Sequence, residues 1–495
     1  MLPVEMPQDF IINCSFSADA LATTPEEVAM ETPVEEPPLN EPPEEEPPEE
    51  EIVAEAELDE PVESTVPEPS SMAEASADEE LVSTVPVETP PDTEVTVIEE
   101  TVPVSERATL LAEYGGTEES EAAVMNALKW LSLHQHADGG WSFDHRNANC
   151  KGQCTQPGNM PQARVAATGL AVMTLLGAGN SCFDGPYRRN VETGLQFIAM
   201  NARQVPAGAD LRGVFEGQKG MYIQAISTIC MAKAVHQNNA ALQLAGPRAR
   251  KVGMKTRRQL ETETRQLTSA AQGGVQFIIN AQNPFGGWKY EPGPNGGDTS
   301  VLGWILTALV TARDSGISVP DSTFDGINQF LDSVQTEDGA FYGYEEPGSK
   351  ASTTAIGLLC RMHAGWDETH PALSRGVSFL KRRGPERDDM YYNYYATQVM
   401  RNRGGPAWER WNTLMREQLV STQRTTGHKA GSWDVADQYG DSGGRLYMTC
   451  LAAMTLEVYY RHVALLDKVQ IVYTIPIESG RIATVPRESD DTRQQ

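Results

Sequence analysis

A short phrase that recurs in fixed register constrains this chain more than any other feature. An aromatic residue followed by Leu or Ile comes first, Gln follows five positions after the aromatic, and a turn carrying Gly leads to a second aromatic six positions after the Gln. The copies run from Trp130-Leu131 through Gln135 to Gly139-Gly140-Trp141, from Phe277-Ile278 through Gln282 to Gly286-Gly287-Trp288, and from Phe330-Leu331 through Gln335 to Gly339-Ala340-Phe341. A register held in this way marks a structural repeat, a unit that buries its apolar face only against its neighbours.

Each phrase closes one helix and precedes a second, apolar helix rich in small residues. The clearest second helices contain Ala167 to Leu175, Val301 to Leu309 and Thr449 to Leu456, with Thr174, Thr307 and Thr455 in register. A helix that is apolar nearly all round is one buried between neighbours. Degenerate copies fill the gaps, with Phe197-Ile198 before the helix around Tyr222 to Ala234 and Phe379-Leu380 before Tyr391 to Met400. The last copy has Gln423 and Trp433, so its turn is four residues longer. This predicts six helix pairs, about twelve helices, with strand patterning confined to Val469 to Ile475. Amphipathic first helices and fully apolar second helices fit an outer ring around a buried inner one.

Charge separates this region from what precedes it. Of 69 acidic residues, 31 fall before Arg107 and no Lys or Arg does, so 38 acidic and 39 basic residues remain in the rest of the chain. The formal charge of −30 therefore belongs to the segment 1–106, rich in Pro and Glu and poor in aromatics. Such a stretch cannot bury enough apolar surface to offset chain entropy, and it reads as a disordered tail, either a spacer or a solvated segment without a partner. The domain reading is a tail over 1–106, a helical domain over 107–466, and a C-terminal segment over 467–495 that is partly extended or disordered. No run of 18 apolar residues occurs, and Met1 to Ala20 lacks a basic start. The chain as it stands therefore reads as cytoplasmic, with membrane proximity arising only from an upstream anchor.

The Gln-x-x-x-Gly-Gly-Trp turns resemble the QW repeats of squalene and oxidosqualene cyclases, which are related to the repeats of protein prenyltransferase β subunits. The resemblance covers about Ala122 to Arg461 and implies an all-α (α/α)6 toroid. Stretches such as Trp141-Ser142-Phe143-Asp144-His145-Arg146 and Asp389-Met390-Tyr391-Tyr392 resemble a bacterial group of prenyltransferase and squalene oxidase repeat proteins. In such repeats Gln meets the orphan groups of helix ends and the aromatic packs on the neighbouring turn. Gln135, Trp141, Gln282, Trp288, Gln335, Phe341, Gln423 and Trp433 thus read as fold staples.

The chemistry of those families can be sought residue by residue. Squalene-type cyclases protonate an alkene with an Asp-x-Asp-Asp motif before Thr, whose middle carboxyl is held protonated. The matching stretch is Asn295-Gly296-Gly297-Asp298-Thr299, with Gly at the donor's position, which argues against a protonation-initiated cyclase of the usual kind. Asp298 remains as a candidate acid or as the N-cap of the helix starting at Thr299. The prenyltransferase zinc set is incomplete, because Ser300 stands where Cys is needed and only His462 follows the last helix. Asp388-Asp389 does not extend into a magnesium-binding cluster and Asp490-Asp491 lies in the polar C-terminal segment, leaving Asp389 as the second candidate carboxylate.

His145, Cys150 and Cys154, with Cys182 as a further candidate, offer ligands for zinc at an atypical spacing with a fourth ligand unassigned, and free or paired structural cysteines in a Gly-rich loop are the favoured reading. Cys150-Lys151-Gly152-Gln153 also resembles the Cys-x-Glu-Gln of thioester domains, with Gly where Glu stands. Aromatics crowd the C-terminal third, and Trp304, Tyr391, Tyr392, Arg445 and Tyr447 are the candidate cavity residues. Phosphate loops, Ser-His-Asp elbows and basic nucleic-acid patches are missing from the sequence. Two readings of function stand together: a protein binding or acting on a hydrophobic isoprenoid in a central cavity, and a non-catalytic toroid serving as a scaffold for a partner.

Overall fold

The computed structural model describes residues 106–213, 219–294, 296–437 and 440–461. The acidic segment through residue 105, the C-terminal segment 467–495 with its strand pattern, and His462 lie outside the described residues.

The chain opens with α1 (Glu106–Tyr114) and then runs through six helix pairs. These are α2 (Glu118–Leu133) with α3 (Arg164–Gly177), α4 (Arg188–Met200) with α5 (Gly220–Ala245), α6 (Arg257–Asn280) with α7 (Thr299–Asp314), α8 (Asp321–Val334) with α9 (Ala351–His363), α10 (Pro371–Arg383) with α11 (Met390–Arg403), and α12 (Gly405–Thr422) with α13 (Gly440–Leu456). The turn α14 (Val458–Arg461) follows. Three small antiparallel hairpins interrupt the pattern, β1 (Arg203–Val205) with β2 (Gly208–Asp210), β3 (Lys251–Val252) with β4 (Lys255–Thr256), and β5 (Gln335–Thr336) with β6 (Phe341–Tyr342). They are local turns that the alternation rule is too coarse to detect.

The second member of each pair forms a closed inner ring. Helix α3 packs on α5, α5 on α7, α7 on α9, α9 on α11, α11 on α13, and α13 returns to α3. Outer helices bridge neighbouring inner ones, as α4 does for α3 and α5 or α10 for α9 and α11, and α2 meets α12 and α13 to complete the outer layer. Burial follows the two roles. Every residue of α3 from Val165 to Gly177 is buried, whereas α8 buries Thr323, Ile327, Phe330, Leu331 and Val334, one stripe at helical spacing. The threonines in register satisfy themselves inside the ring, Thr174, Thr307 and Thr455 each donating to the carbonyl four residues back at 2.8 to 2.9 Å.

The repeat phrase is the joint between successive outer helices. The Gln135 amide donates to Gly139 O at 2.7 Å within its own turn and to Asn190 O at 3.1 Å at the start of α4. Gln282 does the same to Gly286 O at 2.9 Å and Thr323 O at 3.0 Å in α8. The indole N–H of Trp141, Trp288 and Trp433 donates back at 2.8 Å to Leu131 O, Ile278 O and Leu419 O, carbonyls near the ends of the preceding helices that also accept the C-cap amide. In the third copy Tyr342, one residue after Phe341, is fully buried, and its amide donates to Thr354 as that of Trp141 does to Thr168. Phe341 instead packs edge-on against Phe379, and Gln335 accepts from Arg361 at 3.4 Å.

The last copy closes the circle. Gln423 donates to Gly431 O at 3.0 Å and, across the seam, to Ala123 O of α2 at 2.8 Å. Gly431 has φ of +92°, and a Cβ there would strike the backbone carbonyl of Asn126 in α2. The Gln423→Ala variant, which leaves two buried carbonyls short of a donor, is expected to lose about 1–3 kcal/mol of stability in urea denaturation. The exposed Gln153→Ala control should stay within about 0.5 kcal/mol of wild type, and an equal effect of the two would remove the seam role from Gln423.

Candidate functional site

A cavity of about 530 Å³ opens where the first turns of all six inner helices meet. Leu170 of α3, Tyr222 and Ile226 of α5, Trp304 of α7, Thr353 of α9, Tyr391 of α11 and Tyr447 of α13 line it, and Phe143 and Met160 come from the two ends of the α2–α3 loop. Aliphatic and aromatic groups dominate the wall. One turn further along the inner helices the ring is filled, with Trp304 stacked on Tyr394 at 5.5 Å and Gly303 in close contact with the ring of Tyr395. A wider depression of about 1390 Å³ beside α12 is edged by the exposed charged residues Glu119, Arg383, Arg387 and Arg424.

One side of the cavity is polar and fully connected. Tyr222 Oη lies 2.5 Å from Ser300 Oγ, Ser300 Oγ donates to Asp298 Oδ1 at 2.6 Å, and Tyr290 and Tyr344 share a hydrogen bond of 2.5 Å. Tyr391 donates to Ser300 O at 2.8 Å. Burial, the larger effect, and the neighbouring Asp298 raise the Tyr222, Tyr290 and Tyr344 hydroxyls above the ordinary tyrosine range, so they stay neutral and able to donate.

The two candidate carboxylates are both helix N-caps. Asp298 Oδ1 accepts from Ser300 N at 2.7 Å and stands behind Ser300, itself only 1% exposed. Asp389 accepts from Tyr392 N at 2.7 Å and lies on the cavity wall. Burial pushes the Asp389 carboxyl up to about 6; Asp437 and Glu386 add to the rise, while the Tyr392 amide and Lys350 oppose it. At Gly297 an added Cβ would overlap the ring of Phe330.

Trp304, Tyr391 and Tyr447 line the cavity, but Tyr392 and Arg445 do not. Tyr392 is directed outward to Gly384 O at 3.1 Å and to the Trp411 ring. Arg445 is a fully buried clamp that donates to Thr155 O at 3.0 Å, Gln156 Oε1 at 2.7 Å and Ser432 Oγ at 2.9 Å, and pairs with Asp434. The sequence reading missed Tyr222, Tyr290, Ser300 and Tyr344, which carry no motif; only their places before or within the first turns of inner helices could have flagged them.

The cysteines meet partners other than those read from sequence. Cys150 and Cys154 come together with His134 and His428, the four ligand atoms lying within 4.8 Å of one another. His145 is not among the four; it is fully buried beside them, its ring 5.6 Å from that of His134. Cys182 lies elsewhere and donates to Asn238 at 3.2 Å. Cys150 is fully buried while Gln153 is exposed, an arrangement that does not support a thioester between them. Among the described residues no helix is long and apolar enough to cross a membrane.

No family model matches the chain. A squalene–hopene cyclase of Bradyrhizobium diazoefficiens is 29% identical over 129 residues, and a probable squalene–hopene cyclase of Sinorhizobium fredii is 31% identical over 131. Each match covers 24% of this chain and 19% of the cyclase, so the chain spans about a fifth of the length of these relatives. Among solved structures, the type II terpene cyclase MstE from Scytonema with its product aligns at 13% identity over 69% of this chain and 96% of that one, with a TM-score of 0.43. The same enzyme with geranylgeranyl dihydroxybenzoate aligns at 12% identity over 69% and 97%, with a TM-score of 0.42. In its repeats, and in the closed double ring of helices they build, the chain is squalene cyclase-like.

Proposed function

We propose that the protein binds a hydrophobic isoprenoid in its central cavity, with the apolar chain against Leu170, Ile226, Trp304 and Tyr447 and a polar end at the Ser300 and tyrosine hydroxyls. The observation that carries this reading is the cavity itself: the ring is not filled by its own side chains at this end, and its wall is apolar with polar groups gathered on one side. A scaffold held only by its packing has no use for that space. The partial likeness to squalene–hopene cyclases points to the same ligand class.

Protonation of a bound alkene would need a carboxylic acid at the wall. Asp389 is the carboxyl on the wall, and a pKa near 6 leaves part of it protonated in mildly acidic to neutral solution. Trp304, Tyr391 and Tyr447 would then face the developing cation with their ring π-electrons. Asp298 orients Ser300 and the tyrosine hydroxyls in this scheme and does not itself reach the ligand.

Titration of the purified chain with squalene, farnesol or a prenyl diphosphate should quench tryptophan fluorescence saturably. Ala166→Phe, which projects a ring into the cavity from α3, should weaken binding at least about tenfold, or about 1.4 kcal/mol, with little change in denaturation midpoint. No saturable binding of any of the three, and no isoprenoid in an organic extract of the protein, would sink the proposal.

The acid can be tested separately. Because the folded carboxyl holds its proton to about pH 6 and an unfolded Asp only to about pH 4, stability should fall as pH rises through that window. Asp389→Asn should flatten this dependence in urea titrations and abolish any turnover while keeping ligand binding. Turnover by wild type should decline above about pH 6 as the acid ionises.

A further inference from the structure

We propose that His134, Cys150, Cys154 and His428 form a zinc site that locks the seam of the ring and the loop that walls the cavity. The set is built from three separate segments: His134 at the end of α2, the two cysteines in the α2–α3 loop, and His428 in the turn between α12 and α13. Cys154 Sγ lies 3.5 Å from His134 Nε2 and 3.2 Å from His428 Nδ1. A zinc tetrahedron with ordinary bonds to sulfur and nitrogen spaces its ligand atoms about 3.3–3.8 Å apart. The Cys154 contacts already lie near this spacing, and the widest pair, within 4.8 Å, closes around an ion with a contraction of about 1 Å.

The surroundings orient His134 and fix the cysteine loop. His134 Nδ1 lies 2.7 Å from Trp130 O, a contact that requires its proton on Nδ1 and leaves the Nε2 lone pair directed at the cluster. Cys154 N donates to Cys150 Sγ at 3.3 Å. Asn147 fixes the loop by donating to Leu133 O and Gln135 O at 3.0 Å while its Oδ1 accepts from Cys150 N at 2.9 Å. His145, fully buried, has no hydrogen-bond partner at either ring nitrogen among the described residues. Apart from the bond between His134 and Trp130 O, the four groups meet one another only through weak contacts to sulfur, an arrangement costly to bury without an ion.

Two thiolates and two imidazoles match zinc in softness and number, and four protein ligands close the coordination sphere, as in a structural site rather than a catalytic one. On binding, the two thiols release two protons to solvent and the complex becomes neutral. The ion would join the first repeat to the last, and metal clips that close long loops remove the most chain entropy from the unfolded state. It would also hold the loop that carries Phe143 and Met160 into the cavity.

The full chain, purified under reducing conditions without added metal and dialysed, should carry one equivalent of zinc by elemental analysis. Replacement by cobalt(II) should give the intense visible bands of a tetrahedral ion and a thiolate charge-transfer band. His428→Ala and Cys154→Ser should lose most of both signals against a chelator that leaves wild type loaded, while His145→Ala keeps them. Chelation should lower the thermal midpoint of wild type and leave that of His428→Ala unchanged. A wild-type protein that takes up neither metal, or that contains a Cys150–Cys154 disulfide in their place, overturns the proposal. Retention of zinc by His428→Ala with loss in His145→Ala overturns the ligand assignment.

Discussion

Closure of the ring is the constraint on which the other features depend. Inner helices such as α3 and α9, buried along almost their whole length, would expose apolar faces at both ends of an open stack. A solenoid solves this with polar capping repeats, but here α13 covers α3. The price is entropic, since the contacts of α2 with α12 and α13 join segments some three hundred residues apart. Gln423, reaching Ala123 with the same pair of hydrogen bonds that Gln282 makes to its own turn and to α8, shows that the seam is built as another repeat joint.

The ring also determines where function can reside. Because the connections are regular, the six inner helices all begin at the same end, and their first turns bound one space. Each start leaves amide groups that need acceptors. Asp298 and Asp389 answer that need for α7 and α11. Carboxylates therefore collect beside the cavity for reasons of capping, and what distinguishes Asp389 is its place on the wall and the burial that raises its pKa. The polar side of the cavity has the same origin, since Ser300 is both a capped residue of α7 and the acceptor for Tyr391.

Periodicity and the Gln register made the six pairs legible, because burial on one side or on all sides leaves a pattern along a single helix. Contacts between distant segments leave none. Phe341 matched the register of Trp141, yet the buried position passed to Tyr342 because the β5–β6 hairpin adds a residue to that turn. Arg445 and Tyr392 sat in the right helices for a cavity role, but they face the seam and the outer layer. His145 lay near the cysteines in sequence, whereas His428 reaches them from the far end of the chain. One clue was present: the last turn is four residues longer than the others, and the extra length contains the short 3-10 turn Gly427–Lys429 that carries His428.

The glycine at position 297 is part of the packing. Gly297 is pressed against Phe330, a buried residue of the next outer helix and itself the first aromatic of a repeat phrase. Gly287, in the preceding turn, touches the same ring. A carboxyl at 297 would require Phe330 to move, and Phe330 is one of five residues in the stripe that seats α8. A carboxyl introduced there would thus disturb the joint between two repeats, whereas the wall at Asp389 already carries one. In the proposed reading the proton enters from the α11 side, while Asp298 Oδ1 serves Ser300 and the first amides of α7.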